Sequence, residues 1–160
     1  MTEPGTGAQQ MPSDALKQLS ALGYALHTAQ PRLALGPHGL RLLAELISAA
    51  KGEMWVSVII LSATLADVAV HEVGQFDVAF DEFVGDGDID GERPFGLSYL
   101  SAGERRRLEV LRARRNALVH YEGPVAGLSG AGDDAAVLKA DAEQAMTALL
   151  PVLENLESWG

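Results

Sequence analysis

The 160-residue sequence contains no cysteine and has few aromatic and few basic residues. Without cysteine, the chain has no disulfide framework, no thiolate metal ligand and no thiol nucleophile. The longest apolar stretch without a charged residue is residues 54–66, which is shorter than the roughly 20 residues of a membrane span and suits a buried helix. Residues 1–12 have neither a basic run nor an apolar segment. We therefore expect a cytoplasmic protein without a secretory signal and without a membrane partner.

The charge of the chain is strongly negative and unevenly distributed. Asp and Glu number 22 against 12 Lys and Arg, which gives a net charge of −10 and argues against broad, non-specific binding of nucleic acid. Residues 72–92 hold eight acidic residues and no basic one, whereas residues 105–115 hold six of the 12 basic residues. Two alternatives are open: the two segments pair with each other, or the basic segment meets an external anion.

Apolar periodicity and the positions of Gly and Pro predict an all-α protein. Residues 1–12, rich in Gly, Gln, Thr and Pro, predict a disordered leader, and residues 13–160 predict one helical domain. Residues 74–100 are loop-like, and Ser101 with Glu104 matches a capping box at the start of a helix. The simplest arrangement is an antiparallel bundle of four to five helices. The predicted helices are residues 13–30, 38–51, 53–73, 101–121 and 134–159.

The predicted helix 101–121 carries an arginine on its apolar face. At 100° per residue, Arg115 falls within the stripe that we predict to face the core. An isolated buried charge is costly, so this guanidinium needs a partner. One candidate is Asp67, which interrupts the most apolar helix; the other is a bound phosphate, and the two can coexist. The predicted core stripe consists of Leu108, Leu111, Leu118 and Val119.

Asn116 and His120 form an i, i+4 pair on the flank of the same stripe. A structural interpretation of the region is an Arg–Asp pair that locks two helices, with His120 capping the C-terminal end of its helix. A functional interpretation is a site that combines a cation, an amide and a group that exchanges protons near neutral pH. Arg112 and Arg114 point away from the stripe, toward solvent or a partner.

The stretch R-R-N-A-L-V-H-Y-E-G-P resembles the signature of the HEPN superfamily, in which an arginine is followed by four to six residues and a histidine. The resemblance covers roughly residues 38–158. It implies that Arg115, Asn116 and His120 are active-site residues, with Asp67 and Tyr121 in support. Many such proteins are metal-independent ribonucleases that act as toxins or in defence and form their site across a homodimer. Others are non-catalytic modules that bind a nucleotide, RNA or a protein.

The resemblance leads us to expect a metal-independent endoribonuclease that acts without a cofactor. His120 would be the acid or base, and Arg115 would stabilise the phosphate during attack by the RNA 2′-hydroxyl. Arg112 and Arg114 would bind RNA phosphates. An antitoxin or a nucleotidyltransferase is a possible partner. One subgroup has a modified tyrosine two places after the histidine; here Tyr121 follows His120 directly and Glu122 occupies that place. The rival hypotheses are a non-catalytic binding module and a purely structural Arg–Asp pair.

One acidic motif partly matches a calcium-binding loop. Residues 86–91 match the first half of an EF-hand loop, D-x-D-x-D-G, but Leu97 stands where the bidentate glutamate belongs. We expect a solvated acidic loop and no metal.

Overall fold

A computed structural model of the chain describes residues 13–28, 35–74 and 100–158, apart from the side chains at 25–28, 70–74 and 155–158. All regular secondary structure in these ranges is α-helical, which confirms the all-α prediction, and the predicted helix ends are correct to within two residues. The predicted leader and nearly all of the predicted 74–100 loop, including the EF-hand-like motif, lie outside the described residues. The helices are α1 (Asp14–Thr28), α2 (Gly36–Lys51), α3 (Trp55–Gly74), α4 (Ala102–Val119) and α5 (Asp134–Ser158).

The two longest helices, α3 and α5, form the centre of the bundle. α1 packs on α5 and α2, and α2 packs on α3, so that these four helices close around one core. Among the described helices, α4 contacts only α3 and α5 and lies across the pair. α3 is apolar on nearly all sides along residues 55–66 and is buried there, as the uncharged run predicts. The largest fully buried side chains are Leu19, Leu35, Leu43, Leu46, Ile59, Leu65, Leu108, Met146 and Leu149.

Local sequence signals account for the start of α4. The Ser101 hydroxyl accepts a hydrogen bond from the backbone N–H of Glu104 at 3.1 Å. In return, the Glu104 carboxylate accepts one from the backbone N–H of Ser101 at 2.9 Å. This is the predicted capping box, and it satisfies two of the backbone donors that a helix start leaves unpaired. The capping box therefore fixes the residue at which α4, the arginine-rich helix, begins.

The other end of α4 differs from the prediction. The helix ends at Val119, and the next residue, His120, has φ −113° and ψ 98°. Leu108 and Leu111 are buried as predicted, and Leu118 packs partly against the core. The prediction for Val119 is wrong, because its side chain is 47% exposed. Periodicity assigns a side chain to a face of its helix, but burial also requires that a neighbouring helix covers the same position along the helix axis.

None of the described helices is both long enough and apolar enough to cross a membrane.

Candidate functional site

Three of the predicted site residues, Arg115, Asn116 and His120, lie in the last turn of α4 and at its C-terminal cap. His120 is the C-terminal cap of the helix, and its backbone N–H donates a hydrogen bond to the carbonyl oxygen of Asn116 at 2.9 Å. The His120 side chain is exposed, and Tyr121 beside it is 84% exposed. The predicted proton-transfer group therefore stands at the surface, where a large substrate can reach it.

Arg115 and Asn116 are joined through their side chains. The Nε and Nη2 atoms of Arg115 both donate to Oδ1 of Asn116, at 3.1 Å and 2.7 Å. Both side chains are partly buried. Asn116 thus contacts the arginine through its amide and His120 through its backbone, and it orients the guanidinium beside the helix end. An oriented, partly desolvated guanidinium is suited to binding a phosphate.

Asp67, the acid predicted to support the site, lies on a helix next to α4. Asp67 is partly buried on α3, the helix that packs against α4. This position agrees with its sequence assignment to the helix next to the site.

Arg114 occupies a different environment from the one predicted. Its Nη2 atom lies 2.6 Å from Oδ2 of Asp141 on α5, and it also donates a hydrogen bond to the carbonyl oxygen of Ala126. Only 18% of the Arg114 side chain is exposed. The expectation that it points to solvent or a partner is therefore wrong: its guanidinium joins α4 to α5 and to the loop between them.

Arg112 is also partly withdrawn from solvent. Its side chain is partly buried, and its Nε atom is buried, as is that of Arg114. Within the part of the chain that the structure describes, neither Nε atom has a hydrogen-bond partner. A buried donor without a partner is destabilising by about 1–3 kcal/mol, so part of the arginine cluster is kept at some expense of stability.

Sequence reasoning missed Asp141, although a signal for it was present. Leu138, Ala142 and Ala145 mark the apolar stripe of α5, and Asp141 stands at i+3 from the first of them. A charged residue in an apolar stripe is the same signal that singles out Arg115. Applied to α5, it would have indicated a buried partner for one of the α4 arginines.

The loop between α4 and α5 is held by an aspartate at the start of α5. Oδ1 of Asp134 accepts from the Ser129 hydroxyl at 2.8 Å, and Oδ2 accepts from the backbone N–H of Gly130 at 2.6 Å. The Ser129 hydroxyl does most to lower the pKa of Asp134; burial opposes it, and the backbone N–H groups of Ser129, Gly130 and Ala131 lower it further. Gly127 is required here, because it has φ +89° and an added Cβ would lie 2.9 Å from Leu138.

Among the described residues, no three His, Asp or Glu side chains form a group that would hold a metal ion. Comparisons of the chain with protein-family models, curated proteins and solved structures find no significant match.

Proposed function

We propose that this protein is a metal-independent endoribonuclease of the HEPN type. The observation that carries the proposal is the partly buried Arg115 guanidinium, which donates two hydrogen bonds to Oδ1 of Asn116 and lies on the same helix end as the exposed His120. A site of this kind must be open, and the His120 side chain is exposed. A pair serving only to lock helices together would not need an exposed histidine at its side.

The reaction needs little from the protein. The 2′-oxygen of a ribose attacks the adjacent phosphorus, the bond from phosphorus to the 5′-oxygen breaks, and the products are a 2′,3′-cyclic phosphate and a 5′-hydroxyl. Neutral His120 would take the proton of the 2′-hydroxyl, or protonated His120 would give one to the leaving 5′-oxygen. Arg115 would stabilise the charge that develops on the phosphorane.

The other predicted residues have supporting roles in this proposal. Asn116 positions Arg115, and Asp67 on the neighbouring helix is proposed to orient the same guanidinium. Arg112 and Arg114 remain the proposed contacts to RNA phosphates. Because Arg114 is held by Asp141, its contact with a phosphate requires exchange of that ion pair.

The proposal includes a homodimer. Cleavage requires both a base and an acid, and the motif supplies one histidine per chain. A second copy of the chain at the same cleft would supply the second histidine, as the HEPN resemblance leads us to expect. An antitoxin or a nucleotidyltransferase partner is part of the same proposal.

The test is incubation of metal-free protein with mixed RNA in the presence of EDTA. We expect the wild type to cleave and His120→Ala to be inactive with an unchanged helical circular dichroism spectrum. His38→Ala is the matched control, because His38 is exposed on α2, away from α4, and its removal should leave cleavage intact. Cleavage that persists in His120→Ala, or that EDTA abolishes, contradicts the proposal. Binding of RNA without cleavage by the wild type would favour a non-catalytic binding module.

A further inference from the structure

A groove of about 760 Å³ runs between α4 and α5. Val110 of α4, which is 55% exposed, and the exposed Ala140 of α5 contribute apolar surface to its lining, which also includes the buried residues Ile59, Leu111 and Ala145. Thr147, in the wall formed by α5, is held by a hydrogen bond from its hydroxyl to the Glu143 carbonyl oxygen at 2.8 Å. The volume lies within the range of small-molecule sites, which are typically concave, mostly apolar and equipped with a few polar groups.

The groove has two arginines that are available to a ligand. Arg106 and Arg107 line it from α4, and both side chains are exposed. Neither makes an ion pair or a hydrogen bond with any other residue that the structure describes. Two acids line the groove from α5: Asp141, whose carboxylate is paired with Arg114, and Glu143, which is partly buried. This wall of α4 therefore offers two uncommitted cations above an apolar surface.

The groove shares only Arg114 with the residues proposed to act on RNA. The residues that line it from α4 include Gly103, Arg106, Val110 and Arg114, which recur at helical spacing along the edge facing α5. Neither Asn116 nor His120 belongs to its lining.

We propose that this groove binds a small amphiphilic anion, with the apolar body of the ligand along the floor and its carboxylate or phosphate group at Arg106 and Arg107. Guanidinium groups bind such anions by charge-assisted hydrogen bonds. Single-stranded nucleic acid is a poorer match, because base stacking needs aromatic surfaces and no Phe, Tyr or Trp is among the described residues that line the groove.

The length of the groove indicates the size of the apolar body. Gly103 lies in the first turn of α4, and among the described residues a Cβ added there would meet only the Ser101 hydroxyl, at 3.9 Å. Arg114, fixed by Asp141, lies further along the same edge. At 1.5 Å per residue, the two positions are about 16 Å apart along the helix axis. An extended medium-length alkyl chain fits this distance.

The probe is dodecanoate below its micelle concentration, with dodecyltrimethylammonium as the cationic control of equal chain length. Both are titrated into the full-length protein and followed by calorimetry and by backbone amide chemical shifts. We expect saturable binding of dodecanoate, with shifts concentrated in residues 103–114 and 140–147. We expect no saturable binding of the cation.

Two variants test the basic part and the apolar part of the groove separately. The double variant R106Q/R107Q removes both cations and should weaken dodecanoate binding by about tenfold or more. Ala140→Trp places a large side chain in the lining at an exposed position and should abolish binding without disturbing the fold. The controls are Arg41→Gln on α2 and Ala136→Trp, an exposed alanine on α5 outside the groove; both should bind like the wild type.

Three results would overturn the proposal. The first is absence of saturable dodecanoate binding to the wild type. The second is equal binding of the anion and the cation, or shifts outside the groove, which would indicate non-specific adsorption. The third is unchanged affinity in both R106Q/R107Q and Ala140→Trp. Circular dichroism of each variant identifies loss of fold, and Ala140→Trp still decides the question if the double arginine variant does not fold.

Discussion

The guanidinium of Arg114 and the carboxylate of Asp141 form an ion pair between α4 and α5, with Nη2 and Oδ2 2.6 Å apart. The next residue, Arg115, donates two hydrogen bonds to Oδ1 of Asn116 on its own helix. The ion pair of Arg114 joins α4 to α5.

We predict that the Arg114–Asp141 pair contributes measurably to stability. The side chains are 18% and 27% exposed, so solvent screening is reduced but not absent. Asp141→Ala should lower the free energy of unfolding by about 1–3 kcal/mol, because it leaves a partly buried cation with one partner fewer. The measurement is urea denaturation of Asp141→Ala, Arg114→Met and the double variant, which gives the coupling energy of the pair.

The exposed pair of Arg41 and Glu45 on α2 is the matched control. Its nitrogen–oxygen distance is 3.0 Å, but the side chains are 77% and 50% exposed. The same cycle should give only about 0.3–0.5 kcal/mol there. A coupling energy at Arg114 and Asp141 no larger than this would show that the inter-helix pair is not structurally important.

We predict that RNA cleavage requires the charge of Arg115, whereas the stability of the fold does not. Arg115→Leu restores an apolar residue to the stripe, so the variant should be folded, at least as stable as the wild type and unable to cleave RNA. The measurements are urea denaturation and the RNA assay. A loss of several kcal/mol of stability would support the alternative in which the arginine serves a structural ion pair.

The shared-site hypothesis predicts how subunits mix. Sedimentation should show a dimer at micromolar concentration. If both His120 side chains serve one cleavage, an equimolar, fully exchanged mixture of wild type and His120→Ala should have about a quarter of the activity of the same total amount of wild type. Independent sites would give about half. A monomer in sedimentation, or half activity after exchange, would defeat the shared site.

Asp134 should make stability depend on pH in the acid range. Its pKa is lowered in the folded chain, chiefly by the Ser129 hydroxyl, so its contribution is fully present above the unfolded value of about 3.8 and is lost as the pH falls through the folded value. Ser129→Ala removes the largest of these effects. The variant should be less stable than wild type at about pH 7, and the difference should shrink toward about pH 3. Urea denaturation at both pH values measures this, and a difference independent of pH would exclude the carboxylate as its source.

Much of the fold follows from local sequence. The capping box at Ser101 and Glu104 starts α4 as predicted, and the uncharged run 54–66 forms a buried helix. These features are predictable because hydrogen bonds between near neighbours and the burial of an all-apolar helix depend little on the rest of the chain.

By itself, the sequence determined which residues are helical and which helix carries the arginines, the amide and the histidine. Only the tertiary structure decided which way each arginine turns. Arg114 is held by Asp141, a residue 27 positions further along the chain, and that meeting depends on the relative position of two packed helices. The exposure of Val119 and the groove beside Arg106 have the same origin. Periodicity fixes the direction in which a side chain leaves its own helix axis. Which residue it contacts depends on the distance of the neighbouring helix and on its position along the same axis.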